Sequence, residues 1–235
     1  MKMQKLLSYM RRAVDEYKMI EAGDKICVGV SGGKDSLALL AGLKNLSIFY
    51  PNKFQVFGVC VDLGLGMDFS PLEEYAEKIG VELAIKRTDI GEIIFNERKE
   101  KNPCSLCSKM RKGSLHDAAV EMGANKVALG HNRDDVLETF FMSLFYEGRL
   151  HTFSPVTYLS RKDIVSIRPL IYAPECDVKG FANLYSLPVV KNLCPNDGNS
   201  KREAMKNFVK EQKLIYDRFE EKTLGSIKRA GIDGW

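Results

Sequence analysis

Residues 28–36 read Val-Gly-Val-Ser-Gly-Gly-Lys-Asp-Ser, an apolar run that passes through a glycine-rich turn straight into a helix start. Few architectures use such a join other than one in which a buried strand hands over to a helix across the end of a sheet. Paired glycines let the backbone turn tightly and aim several amide N–H groups at one point. The helix opening at Asp35 adds the positive end of its dipole, so the join is a place to hold phosphate. Ser31, Gly32, Gly33, Lys34, Asp35 and Ser36 are therefore the candidate nucleotide contacts. The spacing is not the Walker pattern, which needs four residues between its first glycine and Gly-Lys-Ser/Thr. A bare Gly-Gly pair is more often only a turn; the strand before it and the helix after it are what point to a nucleotide.

The rest of the chain alternates strand and helix in the same manner. Apolar spacing predicts an amphipathic helix over 3–21 closed by Gly23, and strands over 26–30, 54–61, 82–87, 126–129 and 164–167. Helices are expected over 35–46, 71–80, 105–123, 134–146, 178–185 and 201–225. The pattern implies an α/β fold: an open parallel five-stranded sheet with helices on both faces. Residues 1–23 read as a separate amphipathic helix and 24–235 as the nucleotide-binding domain. The 3–21 helix could pack on its own domain or on a twin subunit in a homodimer. Flexible segments are expected at 96–103 and 195–200.

In such sheets ligands sit beyond the carboxyl ends of the strands. Asp62 falls there, where a ribose or adenine contact or an ordinary loop aspartate are both in keeping. So does Gly130-His-Asn-Arg-Asp-Asp135. Carboxylates beside a phosphate loop suit magnesium coordination, although Asp134 and Asp135 also sit where a helix start prefers acids. His131 is a candidate acid or base against the commoner role of a packed histidine.

No run approaches the about 20 apolar residues of a membrane span, and the N-terminus lacks the pattern of a secretory leader, so a cytoplasmic location is expected. A net charge of +4 permits a polyanion partner without demanding one; basic residues gather at Lys109, Arg111 and Lys112, at Arg149 and His151, and at Arg161 and Lys162. Six cysteines in such a compartment do not suggest a disulfide framework. Cys27 and Cys60 lie inside strands and read as core. Cys104 and Cys107, three apart at a helix start, could clamp a metal with Cys194 as a third ligand. Cys176 and His116 remain as candidates for a fourth. Three thiolates suit an iron–sulfur cluster with one open iron, a zinc ion needs four, and a structural role needs none. Spacing alone leaves those three readings level.

Ser31-Gly-Gly-Lys-Asp-Ser36, Cys104-Ser-Leu-Cys107, Gly130-His-Asn-Arg-Asp-Asp135, Ile167-Arg-Pro-Leu170 and Leu193-Cys194 together resemble the PP-loop ATP pyrophosphatase superfamily, and within it the iron–sulfur tRNA thiolation family typified by the tRNA-cytidine(32) 2-sulfurtransferases. The resemblance implies an adenine-nucleotide alpha hydrolase-like fold and a cycle in which ATP, with Mg2+, adenylates the oxygen of a tRNA base. Pyrophosphate leaves, and sulfur from sulfide or a persulfide donor then displaces AMP. It further implies a 4Fe-4S cluster on Cys104, Cys107 and Cys194, ATP contacts from 31–36, Asp62, Arg111 and Gly130, and catalytic roles for Asp135, Lys34 and Asp35. The chain departs from that pattern after the third cysteine, where Pro195-Asn-Asp197 stands in place of Gly-Ser-Gln, which bears on the RNA target. Two other readings share the adenylation site or the cysteines: sulfur transfer on a small thiolated nucleoside, and a zinc-holding nucleotide-binding module without catalysis.

Overall fold

The computed structural model describes residues 1–98, 103–190, 193–194 and 201–235. The expected flexible segment 195–200 lies outside the described residues, as do residues 99–102 of the segment 96–103. The chain runs α1 (Met3–Glu16), β1 (Lys25–Gly29), α2 (Lys34–Phe49), β2 (Gln55–Asp62), α3 (Ser70–Lys78), β3 (Leu83–Arg87), α4 (Ile90–Glu92), α5 (Pro103–Glu121), β4 (Lys126–Ala128) and α6 (Arg133–Met142). It continues with β5 (Val156–Leu159), β6 (Ile164–Ile167), α7 (Glu175–Leu184), α8 (Lys201–Ile215) and α9 (Phe219–Arg229). Helices α4 and α6 each lead into one wider π turn, over Ile93–Glu97 and Ser143–Glu147.

The strands form one sheet in the order β3-β2-β1-β4-β6-β5. The first five of these are parallel, as expected. The sixth, β5, is antiparallel to β6, with Val156 opposite Ile167 and Leu159 opposite Ile164. The sequence pattern missed it because Val156-Thr-Tyr-Leu159 is a short, half-exposed edge segment with no apolar run to betray it. The central strands are buried on both sides and alternate their allegiance. Ile26 and Val28 of β1 enter the main core with α1, α2 and α7, while Cys27 faces Leu115, Ala118 and Ala119 of α5 on the other side. Cys27 and Cys60 are core residues, and burial pushes both thiols up to about 12.

Two expected helices are shorter or divided. Helix α1 stops at Glu16 because Lys18 adopts a left-handed conformation (φ 47°). Its buried Leu6, Met10 and Val14 pack on α2 and α7 of the same chain. The 201–225 helix is broken into α8 and α9 at Arg218, also left-handed (φ 52°). At the amino end of the sheet a buried ion pair joins β1 to β4: Lys126 Nζ lies 2.8 Å from Asp24 Oδ2 and also donates to the Met19 carbonyl.

Strand β1 pairs with β2 on one side and β4 on the other. The chain leaves β1 for β2 and crosses to β4 only later, so the loops after β1 and β4 part company at the same point of the sheet. That divergence opens a crevice at the strands' carboxyl ends.

Candidate functional site

The loop after β1 is braced from within. Ser31 N–H donates to Ser36 Oγ (3.1 Å), and Ser36 Oγ donates to the Gly33 carbonyl (2.9 Å). Gly32 has φ +79°, and its carbonyl accepts from Val190 N–H at 3.0 Å. Gly130 presses on the same loop: a Cβ there would stand 3.1 Å from Asp35 C and Ser36 N. Glycine at 130 is thus a steric requirement of the phosphate loop.

Asn132 ties the two loops together. Its side chain accepts from Asp135 N–H and donates to Asp35 Oδ1 (3.0 Å), while Asp135 Oδ2 accepts from Asn132 N–H (2.9 Å). The pair forms a capping box for α6, so the helix-capping and site roles of Asp135 coincide. Burial raises the Asp135 carboxyl above the usual range, against the pull of the Asn132 N–H and of Arg202. Arg202 of α8 reaches Asp135 Oδ1 (3.3 Å) and Thr139 Oγ1 (3.0 Å). Four residues on, Lys206 meets Glu175 Oε1 at 3.0 Å, the same oxygen that Lys34 Nζ contacts at 3.0 Å; Lys34 also reaches Asp35 (2.8 Å). Burial pulls the Lys34 ammonium down, but Asp35 and Glu175 outweigh it and raise it overall. Lys34, Asp35, Asn132, Asp135, Glu175, Arg202 and Lys206 line a polar cavity of about 300 Å³.

Ser31, Asp35, Ser36, Gly130 and Arg202 open on their other side into a larger cavity of about 890 Å³. Arg111, Lys112, His131, Arg149 and His151 line it too, as do Cys104, Cys107 and Cys194. The three cysteines expected to act together therefore share one chamber with the phosphate loop. Burial raises the Cys107 thiol; Arg111, which hydrogen-bonds it, lowers it, and the nearby Cys194 and Cys104 raise it further. Among the described residues, no three His, Cys, Asp or Glu side chains are gathered closely enough to hold a metal ion.

Asp62 closes its own turn, its Oδ1 accepting from Gly64 N–H (2.8 Å), while its neighbours Val61 and Leu63 line the large cavity. Of the basic clusters, Arg111 and Lys112 and the pair Arg149 and His151 face the cavity, whereas Lys162 is turned onto Asp117. Cys176 is exposed at the start of α7, and the buried His116 Nε2 has no hydrogen-bond partner among the described residues. His131 stacks on Phe153 (centroids 4.1 Å apart), and its Nδ1 accepts from Arg168 Nε at 3.3 Å. Burial, followed by the charges of Arg168, Arg202 and Lys112, holds it well below the ordinary imidazole range. Burial and its cationic neighbours favour the neutral ring, and an Nδ1 that accepts from Arg168 leaves the ring proton to Nε2.

Glu175, Arg202 and Lys206 have no place in the sequence motifs. The signal that could have found two of them is the Arg-x-x-x-Lys spacing on α8, which puts both cations on one helix face.

The sheet is mostly parallel with a glycine-rich loop at its crevice, and the PP-loop domain family matches residues 5–213 of this chain, which makes it a PP-loop protein. The chain is 40% identical over 214 residues to the tRNA-cytidine(32) 2-sulfurtransferase of Stutzerimonas stutzeri, a match covering 89% of this chain and 78% of that one. It is likewise 40% identical over 214 residues to the enzyme of the same name from Tolumonas auensis, covering 89% and 71%. The U34-tRNA thiolase NcsA from Methanococcus maripaludis, solved with its 4Fe-4S cluster, has the same fold: TM-score 0.79, 23% identity, 97% of this chain and 78% of that one. This chain belongs to the PP-loop family of tRNA-cytidine(32) 2-sulfurtransferases, and is an enzyme of the sulfurtransferase class.

Proposed function

We propose that this protein transfers sulfur to C2 of a pyrimidine base of tRNA, most simply a cytidine, by ATP-dependent adenylation of the base oxygen. Attack of that oxygen on the α-phosphorus expels pyrophosphate, and hydrosulfide then attacks C2 and expels AMP; where the donor is a persulfide, its terminal sulfur attacks C2 and a thiol reductant then cleaves the S–S bond that still joins it to the donor. A carbonyl oxygen leaves poorly until it is a phosphate ester, which is why the nucleotide is needed. The observation that carries this reading is the placement of Cys104, Cys107 and Cys194 around the same chamber as Ser31 and Ser36.

In this reading the amides and hydroxyls of 31–36 hold the phosphates, and Arg111 neutralises them from the opposite wall. Lys34 moves from Glu175 to the leaving pyrophosphate, while Asp35 and Asp135, bridged by Asn132, are the carboxylates for Mg2+. The thiols fit an iron–sulfur group. All three are cysteine sulfurs, Cys107 feels both of the others, and Arg111 favours its thiolate. A 4Fe-4S cluster on them would leave one iron without a protein ligand, a place for the incoming sulfur. Neutral His131 offers an N–H rather than a charge to whatever enters.

The test is anaerobic purification with iron and sulfide analysis, together with mass spectrometry of tRNA nucleosides from a deletion strain. Iron, sulfide and the loss of one thiolated nucleoside are the expected results, with each of Cys104→Ala, Cys107→Ala and Cys194→Ala losing both iron and activity. Zinc without iron or sulfide, or intact thiolation in all three variants, overturns the reading. Binding of tRNA should weaken steeply with salt; a salt-independent substrate of nucleoside size would replace tRNA by a small thiolated nucleoside.

A further inference from the structure

The wall of the large cavity that carries His131 is held in place from a distant part of the chain. Three consecutive residues form its backing, and His151 and Phe153 of the three line the cavity. Each is tied to residues 233–235. Asp233 Oδ2 accepts from Thr152 N–H at 2.8 Å and lies 2.9 Å from His151 Nδ1. Trp235 Nε1–H donates to the Phe153 carbonyl at 2.7 Å. The Trp235 ring is itself fixed, meeting Tyr17 and Tyr172 edge-on at 5.9 and 6.3 Å. On the inner side, Thr152 Oγ1 donates to the Val136 carbonyl in α6, and Phe153 stacks on His131. Asp233 makes its contacts from a left-handed backbone (φ 52°) between two left-handed glycines, Gly231 and Gly234. That conformation costs a non-glycine residue about 1 kcal/mol, a cost the contacts must offset.

We propose that Asp233 and Trp235 are positioning residues for the sulfur-transfer chamber: they fix the 151–153 segment, and through Phe153 they fix His131 in register with the phosphate loop. The chemical part of this inference rests on the proposed function; the mechanical part does not. The groups facing His131 are Arg168, Arg202 and Lys112, together with the Phe153 ring, and none belongs to the 233–235 segment. A change in His131 on altering Asp233 or Trp235 is therefore transmitted through the wall.

The chain has three histidines, at 116, 131 and 151, so nitrogen-15 histidine NMR resolves each ring. The wild-type protein should show His131 as an Nε2–H tautomer that does not titrate between about pH 5 and 8. Asp233→Ala and Trp235→Ala should let it titrate, because a loosened wall admits water. Asp233→Asn keeps an acceptor for the Thr152 N–H and suits a left-handed backbone, so it should stay silent like the wild type. In thiolation assays Asp233→Ala should lower kcat/KM about tenfold or more, with Asp233→Asn restoring most of it. A His131 that remains silent in both alanine variants overturns the proposal, as does one that titrates equally in Asp233→Asn. If the histidine responds as expected but the wild type thiolates nothing, the positioning role stands and the functional reading fails.

Discussion

Substituting Gly130 by alanine is a direct test of how the phosphate loop is held. The added Cβ would stand 3.1 Å from Asp35 C and Ser36 N and 3.3 Å from Asp35 O. Ordinary carbon contacts begin near about 3.5 Å, so something must retreat by a few tenths of an ångström. No flexible side chain is available to do so, since all three atoms are backbone. Ser36 is further pinned through its hydroxyl to Ser31 and Gly33. Overpacking of this kind costs about 1–3 kcal/mol. At about 2–4 °C per kcal/mol for a domain of this length, the melting temperature should fall by about 2–12 °C. The retreating group includes the Ser36 amide, one of the donors to phosphate in the proposed function. Losing the aim of a hydrogen bond to a charged group costs about 1.5 kcal/mol or more, so ATP should bind about tenfold more weakly. Differential scanning calorimetry and isothermal titration with ATP read the two effects separately. Gly113→Ala on α5, where a Cβ meets nothing within 4 Å, is the control and should stabilise by about 0.5–1 kcal/mol. A Gly130→Ala protein that melts within about 1 °C of wild type and binds ATP unchanged would refute the steric argument.

Three further outcomes are expected. Burial, with Asp135 beside it, pushes the Glu138 carboxyl up to about 7. The folded state thus holds its proton more tightly than the unfolded chain, and the stability this lends is complete below about pH 4.5 and lost as pH rises through 7. Glu138→Gln should match wild type near pH 4 and exceed it by about 1–3 kcal/mol at pH 8 in urea melts; equal stability at pH 8 would contradict this. Removing Lys126 strands the buried Asp24 carboxylate, so Lys126→Ala should cost about 3–5 kcal/mol, and a loss under about 1 would show that the pair is solvated. In metal-free protein, alkylation of Cys107 by iodoacetamide should rise with pH later than for a free thiol, and later still in Arg111→Met, because Arg111 is the group holding its thiolate down. An earlier rise in the variant would reverse the sign assigned to Arg111.

The sequence made the parallel core legible because its signals are short-range. Ile26-Cys27-Val28 is buried on both faces and needs a continuous apolar run, and Gly32, with its left-handed backbone, answers to a local turn. What stayed hidden is long-range. Strand β5 has no apolar run of its own and exists because β6 offers it an edge. Glu175, Arg202 and Lys206 become site residues only when α7 and α8 fold back over the loop; the shared helix face of Arg202 and Lys206 is local, but what it faces is not. The three cations facing His131 come from distant parts of the chain and are likewise invisible locally.

The reversed direction of β5 has a consequence for how this enzyme could change over evolutionary time. A parallel edge strand would begin at the far rim of the sheet and bring only its tail to the ligands. Running the other way, β5 starts at the ligand rim, with Val156 across from Ile167. Its lead-in, residues 148–155, is thereby delivered to the chamber as a strip outside the strand pairing, held instead by the bonds of 152 and 153 to residues 233–235. Lineages could lengthen, shorten or rewrite that strip, and so retune what the chamber admits, without disturbing a single rung of the parallel ladder.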